Sequence, residues 1–461
     1  MNRNVNSKRW RGAVAGALLG LSLVGCDFIS PTESNPNVVP EATLNQLLVA
    51  AQVLSYFFNE ADNSRFPSVW MQQMDGTDRQ FSAYSTYVFT NETFDDPWGA
   101  VYTGGGLVDI RRAKVAAGDA GNRVLAGIFK VHEAWFGGMM ANHYGDIPWR
   151  EATNPEFLEP AFDPQLQVFG DLQNLLDEAI ADLGSGSGGP AEGVDFNFNG
   201  DPAAWIRVAH TLKARYYLDV AETDASAYGR ALSEARQGAT SNAGNWTAIH
   251  STQATEHNIW NQFNRERTAY ISAGAYLVDL LKDRNDPRLP IYFTPGTSGE
   301  YEGSPPGEDD PDDPAVDASQ LNNATGSPGA QDFSLPLVPS WEAAFSEAEA
   351  AFQTGDEAGA RAALQAGIAL QEAWWGVDIS DPGALSGQAL LEQIMEEKYI
   401  AQFLNPATWS DWKRTCLPPL EGWRGNAIPA RFLYTNDERL VNSNVPNDPA
   451  NGRNANDPQG C

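Results

Sequence analysis

The sequence predicts a mainly α-helical protein built from stacked helical hairpins, on three observations. The first is one hairpin visible late in the chain: a helix over 340–352, a tight Gly355-Asp356 turn, and a second helix over 356–374. Alanines recur there at positions where two helices can approach closely, and the pair fills about 34 residues. The second is a start signal used twice, Asp163-Pro164 and Asp201-Pro202. Asp caps free backbone N–H groups, and Pro suits the first helical position because its missing N–H would be unpaired anyway. The third is how little of the chain alternates apolar and polar residues with the period of a strand.

Taken in order, the chain opens with Arg3, Lys8, Arg9 and Arg11 and no acid, then an apolar run over 12–24 that ends in Leu-Val-Gly-Cys26. That is the layout of a secretory signal peptide over 1–25, and the run is short of the roughly 20 apolar residues that span a bilayer. Its ending resembles the lipobox of bacterial lipoproteins, in which cleavage precedes the Cys and the thiol carries lipid. Cys26 is therefore the expected lipidation site, and several acyl chains on one residue would anchor the protein stably. Residues 26–40, with Pro31, Pro36 and Pro40, read as a flexible tether. The rest, 41–461, is expected to form a single domain.

Within it, Leu44, Leu47, Leu48, Ala51 and Leu54 mark one face of a helix over 41–59. Helices follow over 98–117 and 122–141. The Asp163-Pro164 helix carries Leu166, Phe169, Leu172, Leu176, Ala179 and Leu183, and the Gly- and Ser-rich run 184–190 ends it. The Asp201-Pro202 helix carries Trp205, Val208, Ala209, Leu212 and Tyr216, and another helix covers 225–239. The late hairpin matches the tetratricopeptide pattern, whose units stack because each buries its apolar face only on a neighbour. The prediction is a helical solenoid with long insertions at about 63–97, 242–267 and 294–339. An unrelated helical bundle would show the same helix faces. Insertions of that length without structure of their own are usually functional or disordered.

Charge and cysteines narrow the function. Without residues 1–25, which hold four cations, 26 basic residues face 60 acidic ones, a net charge of −34. Nucleic acid is excluded, because binding it needs clustered Lys and Arg. Once Cys26 is lipidated, Cys416 and Cys461 remain, and an even pair in an exported protein reads as a disulfide pinning the tail to the body. Enzymatic motifs are missing. His132-Glu133 lacks a second His at zinc spacing, and no phosphate loop, dinucleotide fingerprint or nucleophile elbow is present. The expectation is no catalytic residue, no metal and no cofactor. Calcium at the acidic run Asp309 to Asp313 is the one weak alternative, since the run lacks the EF-hand spacing and its Gly.

Four ordered segments carry a family likeness. They are Tyr144-Gly-Asp-Ile-Pro-Trp-Arg-Glu-Ala152 with Phe162-Asp-Pro-Gln165; Asp201-Pro-Ala-Ala-Trp205 leading to Leu218; Asp286-Pro-Arg-Leu-Pro290; and Ile394 to Ile400 with Trp409-Ser-Asp-Trp-Lys-Arg-Thr415 and Ile428-Pro-Ala-Arg-Phe432. Together they resemble the SusD/RagB family of outer-membrane nutrient-binding lipoproteins, in its SusD-like branch. The resemblance implies about four helical-hairpin pairs scaffolding a loop-rich ligand-binding part, and no enzyme activity. It implies capture of a nutrient, most often an oligosaccharide, at the cell surface and delivery to a TonB-dependent outer-membrane receptor. Lys413 and Cys416 depart from the usual Arg and Gly. The motifs themselves read as packing: Gly145 and Pro148 fixing a turn, Asp411 paired with Arg414, and Trp409 and Trp412 filling core.

Sugars present apolar faces and polar rims, so their sites combine aromatic rings with amide, carboxylate or guanidinium groups. Residues 65–87 and 245–265 carry that mixture. The ligand-binding candidates are Trp70, Arg79 and Tyr84 in the first, and Trp260, Asn261 and Arg265 in the second. The competing function is a helical-repeat scaffold lipoprotein of envelope assembly that binds protein partners only. A surface glycosidase is the third class, and with 60 carboxylates a chance pair at catalytic distance carries no weight.

Overall fold

Helices account for most of the computed structural model, which describes residues 42–307 and 317–461. The expected signal peptide, the tether with Cys26, and the run Asp309 to Asp313 lie outside the described residues. In chain order the elements are α1 (Leu44–Glu60), α2 (Asp62–Trp70), β1 (Met74–Gly76), α3 (Arg79–Ser85), α4 (Asp95–Val101), α5 (Leu107–Asp119) and α6 (Arg123–Tyr144). Next come β2 (Ile147–Pro148), β3 (Phe162–Asp163), α7 (Gln165–Leu183), α8 (Pro202–Asp219), α9 (Ala227–Ala235), β4 (Trp246–Thr247), α10 (Ile259–Glu266) and β5 (Ile271–Ala273). The last stretch holds α11 (Ala275–Asp283), α12 (Leu289–Tyr292), β6 (Phe293–Thr294), β7 (Gln320–Leu321), β8 (Pro336–Val338), α13 (Ser340–Gln353), α14 (Glu357–Trp375), α15 (Gln388–Ala401), α16 (Ala407–Thr415) and α17 (Asn436–Val441).

Four hairpin pairs form the scaffold: α1 with α5, α6 with α7, α8 with α9, and α13 with α14. Each of these helices packs on the next in that order, so the stack is continuous although long segments leave it after α1 and α9. The fold is mainly α, with tetratricopeptide-like hairpins. The strands of the described residues pair only two by two: β1 with β5, β2 with β3, β4 with β8 and β6 with β7.

Close helix approach in the stack depends on small residues. Gly138 of α6 lies against Tyr216 of α8, where an added Cβ would sit 2.3 Å from the ring. A large apolar core runs through stack and insertions alike, and a second core joins α13, α14 and α15.

Local signals resolve in instructive ways. Asp201 caps α8, its side chain accepting from the Ala203 N–H at 2.9 Å, with Pro202 at the first position. Asp163 does not cap α7. Its carboxylate instead accepts from the Trp149 and Arg150 N–H groups, at 3.1 and 2.8 Å, and Asp146 takes the Gln165 N–H at 2.8 Å. The expected helix over 98–117 is two, α4 and α5, broken by a turn over 102–106. The insertion 63–97, read as loop, is largely helical, and α2 buries nearly every residue.

The segments that carry the family likeness are interior. Gly145, in the left-handed region at φ 86°, ends α6. Arg414 pairs with Asp411 and with Glu349 of α13, and Lys398 reaches Asp411 at 2.8 Å. Trp409 and Trp412 are buried. Cys416 and Cys461 form a disulfide with Cα atoms 5.1 Å apart. Upstream of it Asn454 donates to the Asn142 carbonyl at 2.9 Å, and the Asn456 N–H donates to Gln165 at 3.0 Å, so the tail is strapped to α6 and α7.

Candidate functional site

The two segments that leave the stack meet each other. β1 from the first pairs antiparallel with β5 from the second, Met74 opposite Ala273 and Gly76 opposite Ile271. Beside this ladder stands α10, whose N-terminus is doubly held. Asn258 accepts from the Trp260 and Asn261 N–H groups, at 2.8 and 3.1 Å, and Glu60 at the end of α1 accepts from the Ile259 N–H at 2.9 Å. The other Glu60 oxygen meets His250 Nε2 at 2.8 Å. Burial pulls the His250 pKa down, but the Glu60 carboxylate more than offsets this and raises it above its ordinary value. Buried Glu60 thus ties both His250 and the N-terminus of α10 to the scaffold.

A cleft opens on each side of α10. The first, of about 620 Å³, is lined from α10 by Asn261, Asn264 and Arg265 and from β7 and the segment after it by Gln320, Asn323 and Gln331 among others. Some of these are committed to the fold: Asn261 donates to the Gly329 carbonyl at 2.8 Å, and Gln320 to the Ser272 hydroxyl at 2.9 Å. Arg265 reaches His257 at 3.2 Å. Asn264, Asn323, Thr325, Gln331 and Asp332 are different. Their side chains border the same cleft and make no hydrogen bond among the described residues. Amide, hydroxyl and carboxylate groups left over from folding, all facing one space, can both donate to and accept from a polyhydroxylated ligand.

The second cleft, of about 450 Å³, lies between α1, α2, α3 and the opposite side of α10. Phe57, Tyr84 and Phe263 supply rings, Arg65 and Gln80 supply donors, and Arg65 stacks over Phe263 at 4.2 Å. A larger cleft of about 860 Å³ lies on the scaffold between α5, α6 and α7, and most of its charges are paired, Arg112 and Asp119 being the exceptions among the described residues. Arg111 and Lys114 both bind Glu133, at 2.8 and 2.5 Å, and Arg150 binds Asp171 at 2.8 Å. Size alone does not make it the better candidate, because its lining comes from the stack helices and residues 149–154 rather than from the two segments that leave the stack, and its ion pairs tie the stack helices together.

Of the six residues expected at the ligand, Asn261 and Arg265 line the first cleft and Tyr84 the second. Arg79 is exposed, pairs with Asp78 and lines neither. Trp70 and Trp260 are corrected: both are fully buried and offer no ring face to a ligand. Trp70 packs against Trp409 and Phe432 at 5.1 and 5.5 Å and donates its indole N–H to the Tyr84 carbonyl. Trp260 lies beneath the Arg65 guanidinium. Rings in these insertions anchor them to the core. Sequence reasoning missed the 320–332 contribution, although Gln320-Leu-Asn-Asn-Ala-Thr325 has the right composition, and it missed Phe57, hidden in a scaffold helix.

Among the described residues no group of three or more His, Cys, Asp or Glu side chains converges to hold a metal ion. Asp195-Phe-Asn-Phe-Asn-Gly200 has the opening spacing of a calcium loop. The Asp195 carboxylate, however, is filled by donors: the N–H groups of Asn197, Phe198 and Gly200 and the Trp205 indole, all within 3.3 Å. It organises the loop before α8. No helix of the described residues is long and apolar enough to cross a membrane.

The SusD-like family model, described as starch-binding and associating with the outer membrane, matches residues 36–435. No curated protein matches the chain. Among solved structures, a chitin-binding protein superposes with TM-score 0.74 at 22% identity, covering 87% of this chain and 94% of its own. A SusD-like protein from Bacteroides thetaiotaomicron gives TM-score 0.73 at 21% identity, covering 90% and 97%. A chitin-binding SusD homolog from Flavobacterium johnsoniae gives 0.71 at 18%, covering 86% and 94%. At such identities the superpositions establish the fold, while the family model establishes membership.

Proposed function

We propose, from the premise that this chain belongs to the SusD-like family of glycan-binding proteins associated with the outer membrane, that it captures an oligosaccharide in the cleft beside α10. It is a binding protein and not an enzyme. The observation that carries the choice of cleft is the set of five side chains, Asn264, Asn323, Thr325, Gln331 and Asp332, that border one space with no partner among the described residues. A glycan would satisfy them with its hydroxyls, and each charge-free hydrogen bond of this kind contributes about 1 kcal/mol net.

In the fuller reading Cys26 carries lipid, the protein faces outward from the outer membrane, and a TonB-dependent receptor takes the captured nutrient inward. The signal-peptide layout before Cys26 and the family's association with the outer membrane support it. Two experiments test these parts separately. Calorimetric titration of starch- and chitin-derived hexasaccharides should show binding that Asn264→Ala with Gln331→Ala weakens by about tenfold. Unchanged affinity in that double variant would remove the cleft. Mild-detergent purification of the tagged, lipidated protein should recover a stoichiometric outer-membrane channel; recovery alone, or with periplasmic assembly factors, would refute the delivery role and leave glycan capture standing.

A further inference from the structure

Among the buried arginines of the described residues, Arg65 donates the fewest hydrogen bonds. It is 8% exposed, yet its only hydrogen bond among the described residues runs from Nη1 to Asp62 at 2.9 Å, and its Nε has no partner. The equally buried Arg215, Arg288 and Arg431 each donate three hydrogen bonds to the chain. Arg215 holds both Glu342 oxygens and the Leu337 carbonyl. Arg288 holds both Asp286 oxygens and Glu397. Arg431 holds Asn454, Asp448 and the Tyr144 carbonyl. A buried guanidinium with idle donors is costly, because desolvation is not repaid by bonding. Arg65 also borders the second cleft, and stacking over Phe263 fixes the plane of its fork.

The same cleft holds features that a packed interior lacks. Phe57 leaves 46% of its surface exposed at the mouth, and the Gln80 side chain makes no hydrogen bond among the described residues. An open ring, an idle amide and an idle guanidinium are the complement of a pyranose, which offers an apolar face and equatorial hydroxyls. The electrostatics restrict which sugar. Four carboxylates (Asp62, Glu92, Asp96 and Glu266) border the cleft against two guanidiniums, in a chain of net charge −30. A uronate or sulfated residue would meet like charge there, whereas neutral hydroxyls can donate to the carboxylates and accept from Arg65.

We propose that this cleft is a second sugar-contacting subsite, in which a neutral glycan residue lies on Phe57 and accepts hydrogen bonds from Arg65. The proposal rests on the reading of the protein as a glycan binder, and the test separates the two. Calorimetry of the whole mature protein with maltohexaose, cellohexaose, chitohexaose and hexagalacturonate comes first. A neutral hexasaccharide should bind, and hexagalacturonate should bind at least tenfold more weakly. The neutral binder is then titrated against Arg65→Gln and Phe57→Ala. The expected loss is tenfold or more for Arg65→Gln and about fivefold for Phe57→Ala, whose exposed position leaves the fold intact even if the first variant is destabilised. Full affinity in Phe57→Ala and in folded Arg65→Gln, with loss in Asn264→Ala, would overturn the subsite and keep the glycan reading. Equal or tighter binding of hexagalacturonate would overturn the neutral-sugar claim. Binding of none of the four would overturn both.

Discussion

Replacing Gly138 by Ala tests whether the stack is as closely packed as it looks. In an ordinary helix interior the change is favourable by about 1 kcal/mol, because Ala loses less backbone entropy than Gly. At Gly138 the new Cβ would lie 2.3 Å from Cε1, Cζ and Oη of Tyr216, more than 1 Å inside van der Waals contact. Tyr216 has little room to retreat: it is 1% exposed and its hydroxyl donates to the carbonyl of Ala134, one turn before Gly138 on α6, at 2.8 Å. Overpacking of a core costs about 1–3 kcal/mol, and breaking the tyrosine's bond costs about 1 kcal/mol more. Set against the propensity gain, the net expectation is a loss of about 1–3 kcal/mol. Gly170 is the matched control, an interior position of α7 with nothing within 4 Å of its added Cβ. Gly170→Ala should therefore stabilise by up to about 1 kcal/mol. Urea unfolding followed by circular dichroism reads both as shifts of midpoint at constant slope. The same substitution should move the midpoint in opposite directions. A Gly138→Ala midpoint at or above wild type would refute the packing argument.

Other expectations are as definite. Reducing the Cys416–Cys461 bond opens a loop of 45 residues, worth about 4 kcal/mol in unfolded-chain entropy; a reduced protein with an unchanged urea midpoint would contradict that. The Asp219 and Asp457 carboxyls are each pushed up to about 6 by burial, so each folded pKa lies above its unfolded value. Their contribution to stability is full below about pH 4 and is lost as pH rises to about 6. Asp219→Asn should flatten that part of the stability profile, and an unaltered profile would assign the slope elsewhere. His250 has the same sign at higher pH, its contribution present below about pH 6.5 and lost as pH rises through the raised pKa. Hydrogen exchange in 249–260 should therefore quicken on alkalinisation, and more in wild type than in His250→Gln. Trp260→Ala removes a fully buried side chain and should cost about 3–5 kcal/mol; a variant of wild-type stability would return Trp260 to the ligand surface.

Legibility followed the physics of each signal. Helices read from apolar periodicity came out close to their bounds: 41–59 expected against Leu44–Glu60, and 340–352 with 356–374 against Ser340–Gln353 and Glu357–Trp375. Periodicity reports burial on one face, which is how scaffold helices are used. Cap signals read less well, because a carboxylate serves whichever N–H groups tertiary structure brings near, as Asp163 does for Trp149 and Arg150. The insertions were least legible. Aromatic rings beside Arg, Asn and Gln describe a sugar platform and a polar-lined core equally well, and α2 buries Asn63, Ser64, Arg65 and Ser68 along with its rings. A single sequence does not say which ring is covered. The polar run 320–332 stood out from its acidic surroundings only by composition.

With the glycan in the proposed first cleft, folding and binding draw on different residues, and that separation explains what family membership can and cannot convey. The segments by which the family is recognised do the work of the interior: Asp286 with Arg288 and Glu397, Asp411 with Arg414 and Glu349, Trp409 against Trp70. Each is buried, and each partner would be left uncompensated if the other were lost, a change that typically costs several kcal/mol. Selection for the fold alone therefore holds these residues, whatever the ligand. The five idle side chains of the first cleft satisfy nothing in the chain. Changing them should leave the unfolding free energy within about 0.5 kcal/mol of wild type, as at other surface sites, while altering affinity. Binding specificity in such a protein is free to change under an unchanged scaffold. If the proposed clefts hold the glycan, the sugar is encoded in the least periodic part of the sequence, where only the three-dimensional meeting of 57–92, 259–268 and 320–332 makes it readable.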